Sequence, residues 1–330
     1  MQSSDAPAQA VASVGGSWSS GGMGFDEQFL GVSAAMPRVR DPSSDLRDRA
    51  AASVGLDAAV DLDAAVALDD AVVQLDAVVQ LDAVVDLDYV HFTVVLDTAR
   101  RLARVTGVNV DGAALVEVER GDKWQFDDRI PADWQAGPEV YARNDLDRGH
   151  LVRRRDPVWG SPEVAARANS DTFRYTNAAP QASAFNQSKE LWLGLEDHVL
   201  EHARAHRLRL SVFTAPVLGA GDPPYRGIRV PLRFWKIAAW NAVLADEPGR
   251  LAAIGFVVDQ SPLVDAGELR EPAAGEAPPL GPFRTFQVPI VDIAVITGLT
   301  MPDLIAADRM PPTIAAAGWR RLSSLDAIML

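Results

Sequence analysis

The chain has 330 residues, a formal net charge of -14 and no cysteine. That length buries a sizeable core in about one to three domains, and the missing cysteine excludes disulfides, thiolate metal sites and a thiol nucleophile. No apolar run approaches the ~20 residues of a membrane helix, and MQSSDAPAQAVASVGGSWSS at the start has neither a basic nor an apolar stretch, so the expectation is a cytoplasmic protein with no secretory signal and no membrane partner.

Residues 1–50 are rich in Ser, Gly, Ala and Pro, with no sustained apolar period. They are expected to be disordered or loosely attached, with Phe25, Phe29 and Leu30 as the side chains that could dock on a core. Residues 51–88 form an acidic low-complexity segment in which Leu-Asp recurs at Leu56, Leu62, Leu68, Leu75, Leu81 and Leu87. A step of six keeps leucine on one face of a strand and is also the period of a parallel β-helix, but no Gly or Pro makes the corners. An expanded spacer and an acidic strip over a basic cleft are the competing readings. The acidity is concentrated here: residues 1–97 hold 16 acids against 4 bases, whereas residues 98–330 hold 29 against 27.

The texture changes near Tyr89, and residues 89–330 are expected to form the catalytic domain. YVHFTVVLD alternates and is β-branched, so it predicts a strand; NVDG predicts a turn, and ALVEVERGDKWQF a further strand. SKELWLGLEDHVLEHARAHR predicts a helix of about five turns. RLRLSVFTAPVLG, RVPLRFWKIAAWN, LAAIGFVVDQ and FQVPIVDIAVITG continue the pattern. Grouped strands with one long helix give an α+β fold rather than alternating βαβ units. No glycine-rich phosphate loop is present.

One stretch stands out from the acidic background. NDLDRGHLVRRRDPVWG places Arg148, His150, Arg153, Arg154 and Arg155 within eight residues, and His150 is one of five histidines. A local positive field rather than net charge decides phosphate binding, and a histidine beside it points to proton transfer. Arg148 and His150 are two apart, so on a strand both side chains face one way. Downstream, DTFRYTNAAPQASAFNQSKELWLGLED offers Asn177, Asn186 and Glu196. By themselves Asn186 is an ordinary helix cap and Glu196 an ordinary solvated helical residue.

Taken in order, HFTVVLD, NVDG, DDRIP, DRGHLVRRRDPVWG, DTFRYTNAAPQ, FNQ and WLGLED resemble the DNA/RNA non-specific endonuclease family, the endonuclease G-like ββα-metal nucleases. The resemblance implies a ββα-metal fold with a mainly antiparallel central sheet and a long metal-site helix. It implies that His150 is the general base that activates water and that Asn186 holds one divalent ion, usually Mg²⁺ with Mn²⁺ as substitute. Glu196 would act on that ion through water, Arg148 would clamp the phosphate, and Asn177 would organise the site. The family's further arginine has no clear match: Lys123 stands near its place and Arg120 lies three residues earlier. Arg153, Arg154 and Arg155 are expected on flanking backbone, with DNA and RNA as substrates. An inhibitor or other control on such an activity is expected, and a homodimer is compatible.

Two rival readings use other features. HVLEH, His198 to His202, fits an inverted zinc-peptidase motif with Glu201 as base and Glu268 or Glu271 as third ligand; His206 extends the row. A nucleic-acid-binding module with a decayed site is the other, and it would not need His150, Asn186 and Glu196 together.

Overall fold

The computed structural model describes residues 23–39, 84–121, 123–183, 200–201, 203–242, 249–264, 284–316 and 318–322. The repeat leucines from Leu56 to Leu81 lie outside them. So do Asn186, Glu196, His198, His202, Glu268 and Glu271.

In chain order the strands are β1 (Arg38–Val39), β2 (Val84–Tyr89), β3 (Phe92–Asp97), β4 (Leu102–Asp111), β5 (Leu146–His150) and β6 (Ala178–Ala182), then β7 (Arg209–Val217), β8 (Pro224–Tyr225), β9 (Ile228–Arg229) and β10 (Arg233–Ala242), then β11 (Arg250–Asp259), β12 (Arg284–Val288), β13 (Leu299–Thr300) and β14 (Arg320–Arg321). The helices are α1 (Pro138–Tyr141), α2 (Pro162–Asp171), α3 (Ile290–Thr297), α4 (Pro302–Ala306) and α5 (Pro312–Ala315). Residues 200–201 and 203–206 are helical, at the end of the long helix the sequence predicts. The frame is an eight-stranded antiparallel sheet ordered β14-β12-β11-β10-β7-β4-β3-β2. The architecture is therefore α+β, as the grouped strands imply.

Alternation along the central strands splits the core in two. On β7, Phe213, Ala215 and Val217 face one layer, while Leu210 and Val212 face the other. On β10, Trp235, Ile237 and Ala239 go with the first layer and Phe234 with the second. The first layer is closed by α3 and α4, through Ile290, Ile293 and Leu304, and by residues 23–39. The second carries α1, the β5–β6 hairpin and the connecting loops, with Tyr141, Leu146, Leu151, Val152 and Tyr175 in its core.

Two expectations are corrected here. Residues 23–39 are packed on the sheet rather than loosely attached: Phe29, Leu30, Ala34 and Met36 are buried. Phe25 packs on Phe213 with centroids 5.1 Å apart and the rings tilted by 58°, in space that exists because position 107 is glycine; a Cβ there would meet the Phe25 ring at 3.1 Å. The amides of Phe25 and Asp26 donate to Thr93 Oγ1 (2.8 Å) and Asn109 Oδ1 (2.7 Å). Four apolar side chains in a polar segment give no period, yet burying each of the larger ones contributes roughly 1.5–3 kcal/mol. Second, the end of the Leu-Asp segment is not a spacer: Val84–Tyr89 is the edge strand β2, with Leu87 and Tyr89 buried.

A third difference concerns ALVEVERGDKWQF. No strand forms among its described residues, which make isolated bridges from Leu115 to Trp159 and from Gln125 to Arg174. Its alternation serves loop packing against the residues that follow the DRGH strand.

Candidate active site

β5 is the DRGH strand. It pairs with β6 so that Arg148 lies opposite Pro180 and His150 opposite Ala178, which sets Arg148 and His150 on one face. Gly149 between them is buried, and a Cβ there would stand 2.1 Å from the Gln181 side chain. The motif's glycine is thus a steric requirement: the Gln181 amide fills the place a side chain would take.

The imidazole of His150 sits in an aromatic bay. Trp124 lies at 4.7 Å between centroids and Phe173 at 5.0 Å, edge to face. Nε2 is inaccessible to solvent and has no hydrogen-bond partner among the described residues. Burial, followed by the charges of Arg120, Arg154 and Arg148, pulls the His150 pKa from its ordinary 6.5 down to about 3. The ring is therefore neutral at physiological pH and keeps a lone pair for a proton. A buried polar atom without a partner is costly, and a water coordinated to a divalent ion is a donor that would satisfy it. The described residues whose charges act on His150 are cationic, and no group of three or more metal-ligating side chains occurs among the described residues. Asn186 and Glu196, the residues expected to hold an ion, lie outside the described residues.

The arginines divide into distinct roles. Arg148 is exposed, with its guanidinium carbon 5.8 Å from the Trp124 ring centroid. Arg120 is exposed and its charge bears on both His150 and Arg154; Lys123 is exposed and is not among the charges acting on His150. Arg154 Nη1 donates to Val118 O (3.2 Å) and Asn169 Oδ1 (3.1 Å). Burial and then the charges of Arg120, Arg155 and Arg153 lower its pKa. Such crowding of like charge is relieved by an anion. Arg155 already pairs with Glu117 at 2.9 Å and Glu201 at 3.5 Å, so its charge is partly spent within the protein. That pairing also occupies the glutamate that the zinc motif would use as base.

Asn177 is wholly buried and braces the chain just beyond His150. Its Oδ1 accepts from Val152 N (2.8 Å), and its Nδ2 donates to Val152 O (2.9 Å) and Thr172 O (3.0 Å). With every polar side-chain atom so engaged, Asn177 organises the site through backbone rather than by touching a ligand.

Sequence reasoning missed three residues that shape this site. Trp124 and Phe173 form the bay, and Gln260 latches the outer edge of β6. The Gln260 amide accepts from Ala182 N (3.0 Å) and donates to Pro180 O (3.2 Å) and Pro231 O (2.6 Å). A glutamine just after a strand carries no sequence signal for this; the aromatics flanking a basic run did offer one. The end of the hairpin is closed by Ser183, whose amide and hydroxyl both donate to Asp145 O at 3.0 Å.

Residues 75–308 match the family model for DNA/RNA non-specific endonuclease. The chain belongs to that family. A curated relative, the uncharacterized protein y4fB of Sinorhizobium fredii, is 41% identical over 231 residues, 67% of this chain and 34% of the relative. The chain thus spans about a third of that relative's length. A solved EndoG/EndoGI complex is similar at 20% identity and a TM-score of 0.47, over 68% of this chain and 86% of that one. The stretch that matches the family includes all of the DRGH strand, the aromatic bay and the segment holding Asn186 and Glu196.

Proposed function

We propose that this domain hydrolyses phosphodiester bonds of DNA and RNA without sequence preference, with His150 as general base. The observation that carries this is the buried, unpartnered Nε2 of a neutral His150 placed beside three arginine charges. A base must be neutral to take a proton and must offer its lone pair within hydrogen-bond reach of the attacking water. In the reaction, an attacking water gives its proton to Nε2 as its oxygen bonds to phosphorus, and the opposite P–O bond breaks. Arg148, Arg120 and Arg154 offset the charge that grows on the phosphate oxygens. Arg120 rather than Lys123 fills the place of the second cation, since its field reaches the imidazole. Arg153 is assigned to flanking backbone, and Arg155 to holding the helical end through Glu201.

The family's general need for a divalent ion supports Mg²⁺ here, with Mn²⁺ as substitute, held by Asn186 with Glu196 acting through water. Such an ion keeps most of its waters and takes few protein ligands, and when bound it supplies charge relief at the phosphate and a more acidic water. Contacts to backbone rather than bases explain tolerance of both nucleic acids. Some restraint, by an inhibitor or another part of the chain, accompanies an activity of this kind.

The test is incubation of the chain with plasmid DNA and with RNA, in Mg²⁺ and in EDTA. Cleavage of both in Mg²⁺ and neither in EDTA is expected. His150→Ala should slow cleavage by roughly 10²–10⁴-fold while nucleic-acid binding survives; unchanged turnover in the folded variant would remove His150 from the mechanism.

A further inference from the structure

A second group of arginines lies at the other end of the DRGH strand. The β3–β4 turn brings Arg100, and the β8–β9 hairpin brings Arg226 and Arg229, around one open cavity of about 470 Å³ that Tyr225 and Ile228 also line. No acidic side chain lines it among the described residues.

These guanidinium groups are held without being neutralised. Arg226 Nη1 donates to the carbonyls of Glu139 (2.8 Å) and Ala142, and its guanidinium carbon lies 5.0 Å from the Tyr225 ring centroid. Arg229 Nη1 donates to Ala220 O (3.3 Å) and Asp222 O (2.9 Å). Arg100 Nη2 reaches Gly219 O at 3.5 Å, while its Nη1 is buried with no hydrogen-bond partner among the described residues. None of the three forms an ion pair among the described residues. Two carboxylates on the surrounding elements are already engaged. Glu139 pairs with Arg101 at 2.7 Å. Asp222 lies close enough to feel Arg100 but accepts from the amides of Gly219 (2.9 Å) and Leu232 (3.3 Å). Carbonyl contacts order an arginine and leave its charge intact, so the group that completes this cavity is an anion. Guanidinium forks fit phosphate better than a point charge does.

The cavity is joined to the catalytic strand. Asn144 Nδ2 donates to Tyr225 Oη at 2.9 Å, and Asn144 Oδ1 accepts from Leu146 N at 3.0 Å. His150 is six residues beyond Asn144, so their backbones are at most about 22 Å apart along extended chain, and the Asn144 and Tyr225 side chains that bridge to the cavity add roughly 10 Å. A duplex strand advances about 3.4 Å per phosphate, which makes the whole reach about nine nucleotides. Arg143 and Arg148 are both exposed along this stretch.

We propose that this cavity anchors a backbone phosphate of the nucleic acid within about nine nucleotides of the scissile bond. The proposal deepens the nuclease reading and rests on it. Inorganic phosphate shares the ligand chemistry, but only a polymer would use the exposed arginines that lead from the cavity to His150.

The test is the salt dependence of binding, by fluorescence anisotropy in EDTA, to a duplex of about 30 base pairs, long enough to cover both sites. The full chain is compared with Arg100→Gln/Arg229→Gln and with Arg100→Lys/Arg229→Lys. The glutamine pair should flatten the plot of log affinity against log salt by about 0.9 for each phosphate that it no longer neutralises, and the lysine pair should keep most of the slope. Cleavage of a dinucleotide, whose single phosphodiester leaves no second phosphate for the cavity, should be unchanged by either pair. Equal slopes for all three proteins would overturn the anchor, as would a lysine pair as impaired as the glutamine pair, which would mark a structural role. Inorganic phosphate or polyglutamate competing as strongly as duplex would assign the cavity to a free anion or an acidic chain and overturn it too. Binding in EDTA needs no turnover. A chain that binds with the expected slopes but never cuts would refute the nuclease reading and leave the anchor standing; a chain that cuts with equal slopes would do the reverse.

Discussion

The two faces of the central sheet share apolar packing and differ in what is added to it. On one, Phe213, Trp235 and Ile237 share a layer with Phe29, Ile290 and Leu304. The other has its own apolar core around Tyr141, Leu146 and Leu151 and adds buried amides that bond to backbone beside His150: Asn177 grips residues 152 and 172, and Gln260 grips β6. The first kind of packing is non-directional and fixes the sheet as a whole. The second fixes particular carbonyls and amides, and so fixes where the His150 ring points. Chemistry sits on the face whose parts are individually addressed by hydrogen bonds.

Substitutions on the two faces should therefore fail differently. Trp235→Ala, wholly buried in the apolar layer, should cost about 3–5 kcal/mol in denaturant unfolding, with turnover per folded molecule unchanged; a large loss of turnover would show that the faces are not independent. On the other face, Arg120→Gln should lower kcat by about 10²-fold and leave stability alone. Lys123→Gln should do neither, and a reversed pattern for this pair would move the second cation to Lys123. Asn177→Ala unpairs the Val152 amide and two carbonyls, so a loss of about 1–3 kcal/mol should come together with slower cleavage.

A further expected effect is on acid stability. The folded pKa of His150 lies below its ordinary 6.5, so between 6.5 and about 3 the unfolded chain binds the proton that the folded one refuses. Stability from this group is present above 6.5 and is lost as pH falls through that window. His91, also buried and lowered, contributes with the same sign. The difference between wild type and His150→Ala isolates the first group: the variant should lose less stability on acidification, and identical acid profiles would contradict the depressed pKa.

How much of this was legible in the sequence follows the same division. β3, β7, β10 and β11 were visible because strands buried on both faces read as apolar, β-branched runs. The DRGH strand was visible through the order of motifs that resembles a nuclease family, since DRGH by itself is a short string. Of residues 23–39 only Phe25, Phe29 and Leu30 were visible as side chains that could dock; the packing of the whole segment was not, because side chains that dock one at a time without a period leave no pattern to find. Gln260 was hidden for a different reason. Its role depends on the β6 edge, some 80 residues away in the chain, and nothing local to Gln260 marks that. In the basic run the sequence could not tell Arg154, held by Asn169, from Arg155, spent on Glu117, since partners rather than spacing decide which charge stays open.

The most direct test of the central claim is a titration of the His150 ring, followed by NMR of the isotope-labelled chain without nucleic acid. The imidazole should stay neutral as pH falls well below 6.5, its signals assigned by their loss in His150→Ala. A protonation midpoint at or above 6.5 would mean that the ring is exposed to water or paired with an acid in the resting site, and would contradict the buried, arginine-flanked setting described for His150.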